Sequence, residues 1–231
     1  MISGTTTAQT GRPAPAHEAA AGAVAVAGQI MRQALARAQT TDPPEPIEVD
    51  CCTVPGTGGH GKARAAALAA IATVLGCQTA GHGNDASRQP RLLFLVGTRS
   101  AVATVQLLLP GLQQQIETTA RAATQTYTTR LRFITSWQYP AQRRTWIAAY
   151  YRSYVRGYGY GIAETIEAAR TTIVGEAAGT GAAVLLARDA ARVQAVFTRE
   201  FPGLRPTRRE RHHHAQALAA GRQAGHHALT P

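Results

Sequence analysis

Apolar positions recur at helical spacing in several stretches of this chain and crowd together in others. Ala67, Leu68, Ile71, Val74 and Leu75 share one face at i, i+3, i+4 and i+7, and Gly76 supplies a C-terminal stop. A second stripe runs through Val102, Val105, Leu109, Leu112 and Ile116, with Pro110 and Gly111 inside it, so a kink or break is expected there. A long helix is predicted from about Gln142 to Thr172. Upstream, the Ala-rich stretch His17–Gln39 with Val24, Ile30, Met31 and Leu35 reads as a helix weakened by Gly22 and Gly28. Strand signals fall at Ile47–Val54, at Cys77–His82, and most clearly at Arg91–Gly97, which is apolar from Leu92 to Val96. The last two are expected to pair as a hairpin. Ala182–Leu186 reads as a further strand, followed by a helix capped by Asp189, carrying Val193, Val196 and Phe197, and ended by Pro202 and Pro206.

These elements predict an α+β fold: a small antiparallel sheet of about three strands packed with several helices, one of them long and central. The domain reading follows the punctuation. Residues 1–16, rich in Thr, Gly, Pro and Ala, form a disordered tail. Residues 17–46 are a helix and a Pro-rich linker (Asp42–Pro46), residues 47–206 the core domain, and residues 207–231 an Arg/His-rich tail or short helix.

Composition changes this picture in two ways. Of 231 residues, 45% are hydrophobic, enough for a core, and 16% are charged, so much of the surface is Thr, Gln, Gly and Ala. The net charge of +11 is lopsided. Residues 1–120 hold 8 basic and 7 acidic groups, whereas residues 121–231 hold 16 basic and 6 acidic groups. Such asymmetry is the usual footprint of a polyanion-binding surface, although a single lysine among so many arginines also fits coding bias. Cys51, Cys52 and Cys77 make neither a disulfide framework nor a CxxC metal pair. No apolar stretch reaches the ~20 residues a membrane helix needs, and the N-terminus lacks a secretory pattern, so a cytoplasmic protein with no membrane contact is expected.

Candidate chemistry is thin outside one region. Gly56, Gly58, Gly61 and Lys62 fit both GxGxxG and GxxxxGK between a strand and a helix, the context in which backbone N–H groups cradle phosphate. Ala63 stands where the Mg²⁺-ligating hydroxyl belongs, so a nucleotide-binding enzyme is the alternative reading rather than the first. His212–His214 and His226–His227 lack metal-ligand spacing and are flanked by arginines. No GxSxG or HExxH occurs, and no catalytic residue, metal or cofactor is assigned.

The dense region is Arg121–Tyr160. It contains seven arginines, ten of the chain's aromatic residues, and no acid. Guanidinium groups bind phosphate through paired donors, and aromatic faces stack on bases at about 1–3 kcal/mol each. Arg130, Arg132, Arg143, Arg144 and Arg152 are therefore the candidate phosphate contacts, with Trp137, Tyr139 and Tyr151 as candidate stacking platforms. The structural alternative puts Trp146, Tyr150, Tyr154 and Gly157 on a core face, with Arg144, Tyr151, Arg152, Tyr158 and Arg156 outward.

In order and spacing, the chain resembles the actinobacterial and phage family catalogued as domain of unknown function 2786. The stretches that carry the resemblance are His17–Gln39, Ala63–Cys77, Leu93–Gly97 with the Val102–Leu112 helix, and Tyr151–Glu164, which is similar to the family's "RRSYLLGFAAGVAERL" helix. Ala183–Leu186, Phe201–Arg205 and Ala219–Gly225 complete it. The family's opening helix is missing and Pro110–Gly111 interrupts a helix that is normally continuous. The resemblance implies a fold class and no activity. The expectation is a non-enzymatic accessory protein with DNA or RNA as partner, or a protein partner or second copy docked on the His17–Gln39 helix.

Overall fold

The computed structural model describes Gly28, Gln29, Arg32, and residues 44–83, 89–134, 140–176, 181–204 and 214–228; the side chains of residues 132–134, 140, 141 and 182 are outside the description. Among the described residues the chain forms strands β1 (Ile47–Val54), β2 (Gln78–His82) and β3 (Arg91–Thr98). Its helices are α1 (Gly58–Val74), α2 (Arg99–Ile134), α3 (Pro140–Glu176), α4 (Ala182–Glu200) and α5 (Ala215–His227). The fold is α+β with a long central helix, as the pattern predicts.

The sheet has the order β1-β3-β2, with β3 antiparallel to both neighbours. β3 is apolar from Leu92 to Val96 because both of its faces are covered. Leu93 and Leu95 join Val54, Leu68 and Ile71 in the main core. Phe94, on the other face, meets Phe201 just past α4, with ring centroids 5.5 Å apart. From the sheet the core extends through α1 and α2 to α3, whose Val155, Ile162 and Ile166 are fully buried.

Small residues set how closely the helices approach. A Cβ on Gly159 of α3 would run into Ala67 of α1. Gly157 and Gly161 face the α5 backbone at Leu218 and Arg222, and Gly221 and Gly225 face the α3 backbone at Tyr154 and Tyr158. These contacts explain why α3 tolerates glycines that cost about 1 kcal/mol each in helix propensity. They also lodge residues 215–227, within the stretch expected as tail or short helix, directly against the central helix.

Two local expectations are corrected. Ala182–Leu186 is the first turn and a half of α4, not a strand: Leu186, Asp189 and Val193 continue at helical spacing, and Gly181 at φ 76° starts the helix, with Asp189 in its interior. A short apolar run cannot by itself separate a strand from a buried helix. Likewise α2 runs unbroken from Arg99 to Ile134 with Pro110 inside it. The carbonyl that Pro110 leaves without a donor belongs to Gln106, which is exposed, so water can serve it. None of the helices is long and apolar enough to cross a membrane, among the described residues.

Candidate nucleic-acid interface

Helices α2 and α3 form an antiparallel hairpin. Tyr127 stacks on Tyr150 with centroids 4.1 Å apart, while Glu117, nearer the start of α2, accepts a hydrogen bond from the Tyr151 hydroxyl. The acid-free sequence therefore folds back on itself and forms one arm. Between Arg121 and Ala149, Leu131 is the one buried side chain among those described.

The arginines divide by position along this arm. Arg130 and Arg144 are exposed, and Arg152 is half-buried. These three pair with no carboxylate among the described residues. Arg143 is half-buried and has a partner. Arg132 lies in the last turn of α2, and its side chain is outside the description, as are Trp137 and Tyr139. Arg121 is tied to Glu117 one turn away.

Of the candidate stacking residues, Tyr151 is corrected; Trp137 and Tyr139 lie outside the described residues. Tyr151 is 7% exposed, and its hydroxyl bonds Glu117 and accepts from Arg64 at 2.7 Å. Burial and the Glu117 contact push its phenol up to about 12. It is a core residue and cannot stack on a base. Tyr150, Tyr154 and Tyr158 continue the ladder that begins at Tyr127, with successive centroids 6.3 and 6.4 Å apart. Tyr158 and Arg156, expected outward, are buried, whereas Trp146, expected in the core, is 45% exposed. Where α1, α2 and α5 converge, α3 is buried on most of its circumference, so no single stripe marks its core face there.

The glycine loop sits where the sequence placed it, between β1 and α1. Gly56 (φ 98°) and Gly58 (φ 55°) make its tight turn. Arg64, one turn into α1, folds back so that its guanidinium donates to the Pro55 carbonyl at 2.8 Å, beside Gly56. Arg152 lies against Gly59 from the α3 side. Since β1 is antiparallel to β3, the loop is not at the switch point of a parallel sheet, where nucleotide loops of the doubly wound type are found. Gly56 and Gly58 thus turn the chain into α1, with Gly61 packed on the Gly56 carbonyl, and Arg64 and Arg152 lie against the loop.

The sequence missed the cluster that fastens this loop to the hairpin. Arg64, Glu117 and Tyr151 bond one another, and Arg121 joins through Glu117. His60 packs on the Tyr151 ring, centroids 4.8 Å apart. Desolvation raises the Glu117 carboxyl, but the hydrogen bond from Tyr151 and the charge and hydrogen bonds of Arg64 outweigh it, holding the carboxyl below its ordinary range. Burial, reinforced by the Arg152 and Arg64 charges, lowers His60. One signal was available: Glu117 is the last acid before the acid-free stretch.

His214 was also read as tail. Its ring Nδ1 caps α5 by accepting from Ala217 N at 3.2 Å, and its backbone N–H donates to the buried Ser153 hydroxyl. No cluster of histidine, cysteine and acidic residues suited to a metal occurs among the described residues. Compared with protein-family models, curated proteins and solved structures, the chain matches none.

Proposed function

We propose that this chain is a nucleic-acid-binding protein that holds phosphates through the arginines of the α2–α3 arm. The observation that carries the reading is the placement of charge. From Thr118 to Ala163 the sequence has no acidic residue, and this stretch forms a single helical hairpin whose outer part buries little. Arg130, Arg144 and Arg152 are left without a carboxylate there, among the described residues. Unpaired guanidinium groups keep their full attraction for phosphate, and the absence of nearby acids leaves the local field undiminished.

The withdrawal of Tyr151 into the core shifts the reading from stacking towards backbone contact, which discriminates weakly between sequences. Resemblance to the family of unknown function adds no activity, so the reading stands on charge and geometry.

Fluorescence anisotropy with labelled single- and double-stranded DNA and RNA across a salt series tests it. Binding is expected with log K falling against log salt at about −0.7 to −0.9 per phosphate contact. Arg143→Glu together with Arg144→Glu is expected to weaken binding by about tenfold or more at low salt, since it removes contacts and adds repulsion. Unchanged binding in that variant would take the arm out of the reading. No binding of any nucleic acid at low salt would leave the arginine excess as composition.

A further inference from the structure

Trp146 is the one exposed aromatic residue of the arm among those described, at 45%. Its place in the hairpin gives that exposure a meaning. Tyr150, Tyr154 and Tyr158 stand four residues apart along α3, with successive ring centroids 6.3 and 6.4 Å apart. Trp146 is the next rung at the same spacing, about 6 Å further out along the helix. α5 covers this ladder from Tyr150 inward. His214 meets the Tyr150 ring edge-on at 5.2 Å, and Gly221 and Gly225 lie against the α3 backbone at Tyr154 and Tyr158. The helix starts one rung too late to shelter the indole.

The charge around this rung is positive. Burial raises the Tyr150 phenol, and the Arg130 guanidinium, exposed on α2, is close enough to oppose the shift. Arg144, also exposed, adds a second charge two residues from Trp146, and the sequence has no acid from Thr118 to Ala163. An indole rimmed by cations disfavours a second copy of a chain with a net charge of +11 and favours an anionic strand. Stacking on an indole also needs a base with an open face. In a duplex both faces of a base are covered by its neighbours, whereas a single strand can splay a base out.

We infer that Trp146 is the stacking platform of the arm and that its ligand is single-stranded nucleic acid, one base lying on the indole while Arg130 takes a neighbouring phosphate. This rests on the nucleic-acid reading of the arm and adds to it the strandedness of the ligand.

The test is anisotropy on the full chain with labelled oligothymidylate, an abasic strand with the same phosphates, and a duplex of equal length. The wild type is expected to bind oligothymidylate about tenfold more tightly than the abasic strand. Trp146→Ala should lose that preference while keeping its affinity for the abasic strand and the duplex. Its salt slope should not change, because no ion contact is removed. Trp146→Phe should restore most of the preference, and Tyr160→Ala, which removes a 38% exposed ring at the root, should leave it intact. Equal binding of oligothymidylate and abasic strand by the wild type, or a preference that survives Trp146→Ala, would overturn the inference and leave the arginine reading standing. A surviving preference in a variant that turns a wild-type dimer into a monomer would assign the indole to a second copy instead. Loss of abasic-strand affinity in proportion would make the indole's role structural, which also overturns the inference. No binding of any probe at low salt would overturn both readings.

Discussion

The root and the outer arm of the α2–α3 hairpin are built from the same two helices yet obey opposite rules. At the root, Tyr151, Tyr154, Val155, Tyr158 and Ile162 are buried, and backbone meets backbone at Gly157, Gly161, Gly221 and Gly225. Along the arm, exposed Arg130 and Arg144 flank a thin contact seam that holds Tyr127, Tyr150 and Leu131. Read as a string of letters, arginines and aromatics form one interleaved constellation. The fold sorts them: most of the described aromatics turn inward to make a ladder, whereas Arg130 and Arg144 turn outward. Stability is therefore concentrated at the root, and the proposed binding at the arm.

If that division is right, the largest stability effects belong to the root glycines. Gly221→Val drives a side chain into the Tyr154 carbonyl, where backbone on both sides leaves no room to yield. Overpacking of this kind is expected to cost more than about 4 kcal/mol or to prevent folding. The contrasting site is Gly175 near the end of α3, where an added Cβ meets nothing within 4 Å. There Gly175→Ala is expected to stabilise by up to about 1 kcal/mol through helix propensity. Denaturant melts of both variants check the pair, and a mild loss at Gly221 would contradict the close packing of α5.

An intermediate effect is expected at Glu117, which joins loop, root and arm. Glu117→Gln keeps the shape but removes the charge that faces Arg64 and Arg121, and should cost about 2 kcal/mol. Its pH dependence has a definite sign. The Glu117 carboxyl is depressed in the folded state, so its contribution is complete above the ordinary value of 4.5 and is lost as pH falls through the lower folded value. His60 is also depressed, so stability begins to fall once pH drops below 6.5, where the unfolded imidazole gains its proton first. Tyr151 is raised, so stability falls again as pH climbs from 10 towards about 12. Burial also raises Cys77, from 9.0 to about 12, and Cys52, so the alkaline loss begins above pH 9 and Tm should be flat between 6.5 and 9. Glu117→Gln should remove the loss below pH 4.5 and keep the His60 portion, and a variant that retains the full acid limb would show that Glu117 does not govern it.

How legible this was depends on distance along the chain. The three strands, the β2–β3 hairpin and the long helix follow from local pattern, in the apolar run Leu92–Val96 bounded by polar and glycine residues and in the length of Gln142–Thr172. Ala182–Leu186 failed because five apolar residues carry no period, and only Val193, a turn beyond Asp189, reveals the helix. Pro110 misled because its cost depends on whether Gln106 faces water, which no local rule states. The Arg64–Glu117–Tyr151 cluster was invisible for a different reason: its members are 53 and 34 residues apart and meet only after the hairpin closes on α1. The arginines were legible as charge, but their pairing was not, since Arg121 and Arg144 look alike in sequence and differ in having Glu117 one turn away.

The smallest effect sharpens the comparison most, because His214 touches both regions. Its Nδ1 accepts from Ala217 N and so caps α5 at the root, which places the neutral ring's proton on Nε2, 3.3 Å from the Tyr127 hydroxyl at the base of the arm. His214→Ala should cost about 1 kcal/mol through loss of the cap, and His214→Asn, whose side-chain oxygen can accept the same N–H, should restore most of it. Measured in parallel by anisotropy, nucleic-acid affinity should be equal in all three proteins, because neither substitution touches an arginine of the arm. A loss of affinity that tracked the loss of stability, and returned with Asn, would mean that α5 sets the arm's orientation through the α3 backbone. A loss in both variants would instead assign the effect to the Tyr127 contact, since asparagine replaces the cap but cannot reach as an imidazole does. Only equal affinities leave root and arm as independent parts of one hairpin.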